Sequence, residues 1–167
     1  VFMGLPEIFI SFQTAAVSAI TRSARGVLAV AVKDATEGGA TEAAYKSLAE
    51  VPEDKFSSEN YRLLKLAFLA APTKVWVLRV GEDAEKTYQA LERLRFDWLA
   101  APGLEDARVM SFIKTLRSGG RGVKAVVANA TAPDCEGIVN LCVSGLTLED
   151  GAIEAKDYAV RVAALLA

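Results

Sequence analysis

Histidine is missing from all 167 residues. No side chain therefore has an unperturbed pKa near neutrality, and both the commonest general base and the commonest metal ligand are excluded. Carboxylate or lysine chemistry stays open, but only through strong pKa shifts. Cysteine is nearly as scarce: Cys135 and Cys142 stand in an apolar context. They could form a disulfide or part of a metal site, but buried thiols in a reducing compartment is the favoured reading. Concentrated positive charge is absent too. Nineteen Lys+Arg against 21 Asp+Glu leave a net charge of −2, which makes nucleic acid a poor partner. No apolar run approaches the ~20 residues of a membrane span, and no basic segment followed by an apolar one marks a secretory signal.

What is present is apolar bulk. The hydrophobic fraction is 52% and the mean hydropathy +0.26. A chain of this length forms one compact domain that buries roughly two-thirds of its extended surface. The apolar excess implies either a large core or a surface that other subunits cover.

The chain opens with "GLPEIFISF". Ile8, Ile10 and Phe12 fall on one side of an extended backbone, against Glu7 and Ser11 with Phe9 on the other. This is a half-buried strand by its period of two. It is either an edge strand of its own domain or an arm that pairs elsewhere. Thr14 to Ser23 is small and hydroxyl-rich and reads as an extended connector, with Arg22 and Arg25 bracketing the approach to Gly26.

Farther on, Val27 to Val32 is a continuous apolar run, the pattern of a central strand covered on both faces. The polar stretch after it reads as surface loop with one short helix around Glu42 to Leu48. Ser57 or Ser58 caps a helix to about Ala70, and Pro72 stops it. Lys74 to Val80 is a second strand, followed by a helix that buries Ala84, Tyr88, Leu91 and Leu94. "FDWLAAPG" is a third strand. Leu104 to Ser118 is a helix with Val109, Phe112, Ile113 and Leu116 inward, closed by Gly119 as a left-handed cap. Val123 to Asn129 and Gly137 to Val143 add two strands, Asp150-Gly151 marks a tight hairpin, and a final helix from about Lys156 presents Tyr158, Val162 and Leu166. Strand alternating with helix through short links is the grammar of an α/β fold, a mostly parallel sheet flanked by helices.

Candidate chemical motifs weigh lightly. "RSGGRG" (Arg117 to Gly122) follows a helix and opens a strand, the reverse of a dinucleotide fingerprint, and lacks the lysine and hydroxyl of a phosphate loop. "APDCEG" places Cys135 between the acids Asp134 and Glu136, where a catalytic thiol wants a basic neighbour, so a turn with an unreactive cysteine is the better reading. Asp34, Asp83, Asp97, Asp106 and Glu136 sit near strand ends or helix starts, where open α/β sheets place active sites, but capping explains them equally. Trp76 and Trp98 read as core, with a base-stacking platform as the lesser alternative. No catalytic, cofactor or metal set emerges.

The ordered succession "GLPEIFISF", "RSARGVLAVAVKD", "APTKVWVLRV", "LERLRFDWLAAPG", "FIKTLRSGGRGVKAVVANATAPDCEGIVNL" and "AIEAKDYAVRVAALLA" resembles contractile phage tail sheath proteins. The form it resembles is the compact one of Gram-positive prophages and phage-tail-like bacteriocins. The likeness runs through essentially the whole chain beyond Val1-Phe2. It implies the N-terminal half of such a protein, with residues 1–26 an arm and linker and 27–167 the sheath core domain, the C-terminal domain being absent. In that family the arm adds a strand to a small sheet in a neighbour, a role that would fall to Leu5, Ile8, Phe9, Ile10 and Phe12, with Arg22, Arg25 and Gly26 in the linker. The resemblance further implies a non-enzymatic structural subunit, in a virion or phage-tail-like particle assembled in the host cytoplasm. Its partners would be other copies of itself, the tail tube and the baseplate; no nucleic acid, membrane insertion or cofactor is involved. A small α/β enzyme or nucleotide-binding domain is the competing reading.

Overall fold

The computed structural model describes residues 26–129, 133–149 and 151–167. The apolar run of Val27–Lys33 (β1) lies inside a six-stranded sheet. It is flanked on one side by Lys74–Val80 (β3) and on the other by Trp98–Ala100 (β4), both parallel to it. Lys124–Val127 (β5) and Ile138–Asn140 (β6) continue the sheet in parallel, and Glu42–Tyr45 (β2) closes the far edge antiparallel to β3. The order is β2-β3-β1-β4-β5-β6.

Alternate residues of β1 point to opposite faces, so both faces of the strand must be covered. Leu28, Val30 and Val32 join a cluster with Leu63, Leu64 and Ala67 of Ser58–Phe68 (α1) and with Ala159, Val160, Ala163 and Ala164 of Ala155–Leu166 (α4). Ala29 and Ala31 join the other, with Tyr88 and Leu91 of Ala84–Arg93 (α2) and Val109 and Ile113 of Asp106–Ser118 (α3). The helix starts follow the caps expected of them: the Ser57 hydroxyl accepts from the Asn60 amide, and the Asp83 carboxylate from the Glu85 amide.

Several expectations are corrected. Glu42–Tyr45 is a strand, not part of a helix, and a 3-10 turn at Leu48–Glu50 follows it. Its alanines favour helix locally, but pairing with β3 satisfies a sheet edge that would otherwise be open. The left-handed residue after α3 is Gly120 (φ 85) rather than Gly119 (φ −80). The Gly120 amide donates to the Arg117 carbonyl and the Arg121 amide to that of Leu116, so the αL position falls one residue later. In α4 the buried face is Ala159, Val160, Ala163 and Ala164, while Tyr158 and Val162 are half-buried and Leu166 exposed. Small side chains let this helix approach the sheet and α1 closely, and the larger ones turn outward. Trp98 is core as read, whereas Trp76 is half-buried beneath the Lys74 ammonium, 4.5 Å from its ring centroid. Cys135 and Cys142 are free thiols, but half-buried and exposed rather than core. The late hairpin is present as Thr147–Leu148 (β7) and Gly151–Ala152 (β8), with Leu148 opposite Gly151; Asp150 lies outside the described residues.

Gly103 tests how tightly the sheet's end is packed. A Cβ there would come within 2.6 Å of the Lys33 amide nitrogen and 2.8 Å of the Val32 carbonyl carbon. A Cβ at Gly81 would meet nothing within 4 Å. In urea denaturation Gly103→Ala should lose about 2 kcal/mol, because backbone must shift. Gly81→Ala should stay within about 0.5 kcal/mol of the parent. Equal effects would show that the close approach at Gly103 is not a constraint.

Candidate functional site

The sheet reverses direction of growth at β1, since β3 is added on one side and β4 on the other. The carboxyl end of such a strand is where open α/β sheets most often bind ligands. A cleft of about 690 Å³ opens there, between Lys33 and Asp34 after β1, Gly81 and Glu82 after β3, Gly103 and Glu105 before α3, and Tyr88 and Arg108. One of its two cations is already engaged: the Arg108 guanidinium lies 2.8 Å from Glu85 and stacks 5.2 Å above the Tyr88 ring. The Tyr88 hydroxyl is buried without a partner, and burial raises its pKa above the usual phenolic range.

Beside the cleft, Asp34 and Arg79 organise a buried polar knot. Asp34 accepts hydrogen bonds from the Thr36 amide (2.9 Å), the Ser57 amide (2.9 Å) and the Asn60 side-chain amide (2.8 Å). Arg79 is only 9% exposed and lies 3.8 Å from the Asp34 carboxylate. It donates to the Thr36 carbonyl at 2.7 Å and to that of Lys55, with its guanidinium over Phe56. Burial pushes the Asp34 carboxyl upward, but the hydrogen bonds from Thr36, Asn60 and Ser57 outweigh it and hold the group well below the usual carboxylate range. The knot pins the excursion between β1 and α1 to the sheet. The sequence signal for it was thin: one arginine within the otherwise apolar run Val75–Val80.

A third cluster lies at the opposite end of β1. The Gly26 amide donates to the Ala167 carbonyl (2.5 Å), the Thr73 amide to the Gly26 carbonyl (3.3 Å), and the Val27 amide to the Asp97 carboxylate (2.7 Å). Side chain and backbone crowd this corner, where a Cβ on Gly26 would stand 2.7 Å from Asp97 Oδ2.

Of the acidic residues singled out in the sequence, Asp34 anchors the knot, Asp83 caps α2, and Asp97 holds the start of β1. Asp106 sits 3.9 Å from the Lys156 ammonium, and Glu136 pairs with Arg117. Each is occupied by its own neighbour, so capping and pairing is what the geometry assigns to them. The "RSGGRG" run likewise turns inward: Arg117 also donates to the Val123 carbonyl, and Arg121 to those of Glu92 and Leu94. Among the described residues no group of His, Cys, Asp or Glu could hold a metal ion. Of the arm and linker residues, Gly26 lies in the third cluster, whereas Leu5, Ile8, Phe9, Ile10, Phe12, Arg22 and Arg25 lie outside the described residues.

The fold is an α/β body with a flanked, mostly parallel sheet. Comparison with known proteins finds similar chains for that body. The chain is 32% identical, over an alignment of 181 positions, to a tail sheath protein of Clostridium phage phiCD119, covering 98% of the chain and 48% of the relative. Crystal structures of sheath tail proteins from Desulfitobacterium hafniense and Listeria innocua share the fold, each with a TM-score of 0.68 at 14% and 16% identity. These matches cover 95% and 85% of this chain, and 61% and 56% of the solved chains. No family model matches the chain. Over nearly its whole length the chain is similar to that tail sheath protein, and it spans about half the length of the curated relative it matches. Among the described residues no helix is long and apolar enough to cross a membrane.

Because the native carboxyl of Asp34 is depressed, its contribution to stability is complete above the ordinary carboxylate pKa of about 4 and is lost as pH falls below it toward the native value. Denaturation between pH 6 and pH 2 should therefore show Asp34→Asn with a shallower loss of stability than the parent. At neutral pH the same variant should be destabilised by about 2 kcal/mol, through loss of charge-assisted hydrogen bonds. Parallel acid limbs would remove Asp34 from this account. At Tyr88 the sign reverses: Tyr88→Phe should be neutral or stabilising by up to about 1 kcal/mol, since it deletes a hydroxyl without a partner.

Proposed function

We propose that this chain is the N-terminal part of a structural, non-enzymatic subunit of a contractile tail sheath. Copies assemble helically around the tail tube in an extended state. A baseplate trigger lets them repack into a shorter, wider lattice that drives the tube through a target envelope. The observation that carries the reading is sequence similarity to a tail sheath protein across 98% of the chain. The particle is a phage virion or a related phage-tail-like bacteriocin or injection particle, assembled in the host cytoplasm, and its working energy is stored in subunit interfaces rather than drawn from a cofactor.

Residues 1–26 serve as arm and linker to the core domain of residues 27–167. Leu5, Ile8, Phe9, Ile10 and Phe12 add a strand to a neighbouring subunit, with backbone hydrogen bonds giving affinity and the Ile8, Ile10, Phe12 face filling its pockets. The segment through Arg22 and Arg25 spans the gap. Gly26 supports this arrangement, since its ties to Thr73 and Ala167 give the linker a fixed point of departure.

Electron microscopy of the full-length protein should show striated tubes. Removing Met3 to Phe12 should abolish them while leaving soluble, folded subunits. Tubes unaffected by the deletion would refute the arm's role. A dispersed monomer holding a small molecule in the β1-end cleft would instead favour an enzyme or nucleotide-binding domain.

A further inference from the structure

Among the described residues that line the β1-end cleft, Tyr88 alone carries a buried side-chain polar atom with no hydrogen-bond partner. The residue is 6% exposed, and its ring packs against Phe112, with centroids 5.1 Å apart, and beneath the Arg108 guanidinium. A ring held in this way cannot turn its hydroxyl out to water, and a buried polar group in a folded protein is normally matched. Beyond burial itself, the charges that act on the phenol belong to Arg108, Glu105, Glu85 and Asp106. All four stand at the starts of α2 and α3, so the hydroxyl is directed at the rim that those turns form.

That rim offers donors. The Gly103 amide donates to the Ala31 carbonyl (2.9 Å) and brings the start of α3 over the end of β1. No side chain caps α3, and the Asp106 and Ala107 amides have no acceptor among the described residues. The positive end of a 13-residue helix is thus left open beside the cleft. Lys33 lines the same cleft, and its ammonium makes no ion pair among the described residues. Glu82 and Glu105 also line it and are likewise without a cation there. Donors of this kind attract one negative charge, and the flanking acids repel a second.

We propose that the β1-end cleft binds a single carboxylate, with the Tyr88 hydroxyl and the Lys33 ammonium as its side-chain partners and the first turn of α3 beside them. Its carrier is a small carboxylic acid or the aspartate or glutamate side chain of another polypeptide; the chemistry recognised is the same. Phosphate, with up to about two charges near neutrality, is refused by Glu82 and Glu105. The carboxylate reaches the hydroxyl when the Arg108 side chain swings from above the ring. The pair that Arg108 makes with Glu85 is more than half exposed on both sides, 54% and 58%, so little holds it in place. Binding of this kind is a property of the body and needs neither helical assembly nor contraction.

The test is a titration of dispersed full-length protein at constant ionic strength, read by calorimetry and by the unfolding temperature. The probes are sodium propionate, inorganic phosphate and a short peptide with one glutamate among neutral residues. Propionate should bind saturably and raise the unfolding temperature. Tyr88→Phe and Lys33→Met should each weaken it about tenfold, the loss of one charge-assisted hydrogen bond. Lys114→Met, toward the other end of α3, should leave it unchanged. Since Tyr88→Phe is expected to be neutral or stabilising in the free protein, a weaker response from that variant is not a folding failure. Failure of both carboxylates to bind saturably overturns the proposal, as does binding that Tyr88→Phe and Lys33→Met leave intact. Phosphate held as tightly as propionate overturns it too, because the cleft then does not select a single charge. Peptide bound at least as tightly as propionate supports it with a polypeptide side chain as the carrier, and propionate bound alone supports it with a small acid. Tube formation is scored separately by microscopy: tube-forming protein that ignores propionate loses only this site, and dispersed protein that binds it loses only the sheath reading.

Discussion

A strand with apolar side chains on both faces cannot be satisfied by one layer of helices, and β1 imposes that constraint on the whole body. Residues Leu28 to Val32 are at most 1% exposed. Helices α1 and α4 must therefore lie on one side and α2 and α3 on the other, with parallel strands filling both flanks. The same strand fixes the polar chemistry. Backbone leaving its carboxyl end is gathered by Asp34 and Arg79, and backbone entering its amino end by Asp97, Thr73 and Ala167. The loop between β1 and α1 can be long and polar because a buried arginine holds it at two carbonyls.

The elements with strong local signals were legible. Val27–Lys33 and Lys74–Val80 are valine-rich, mostly apolar runs, and Ser57 and Asp83 cap helices as their chemistry dictates. Misreadings arose where distant backbone decided the outcome. Glu42–Tyr45 is alanine-rich and helix-prone, yet the open edge of β3 draws it into the sheet. In α4 the large residues suggest the inner face, but helix spacing alone cannot say which of two apolar stripes meets the sheet; close packing chose the small one. The Asp34–Arg79 knot left one arginine in an apolar strand as its signal, since its partners come from positions 34, 36, 55, 57, 60 and 79. The tail sheath resemblance, by contrast, rests on the order of segments along the chain and needs no knowledge of those contacts.

The cleft at the end of β1 illustrates that a fold's customary ligand position does not by itself define a site. Its position is the one that α/β enzymes exploit, but here Arg108 is matched with Glu85 and Asp34 is closed within its own shell. Charged groups that hold one another in this way stiffen a body.

The corner at Gly26 also has a mechanical meaning. Tension arriving along the axis of β1 meets a strand paired with β3 from Val27 to Lys33 and with β4 from Leu28 to Val30. Those ladder bonds lie across the pull, so they share it in shear instead of opening one at a time like a zipper. A pull on Gly26 along that axis is thus spread through the middle of the sheet instead of falling on one hydrogen bond.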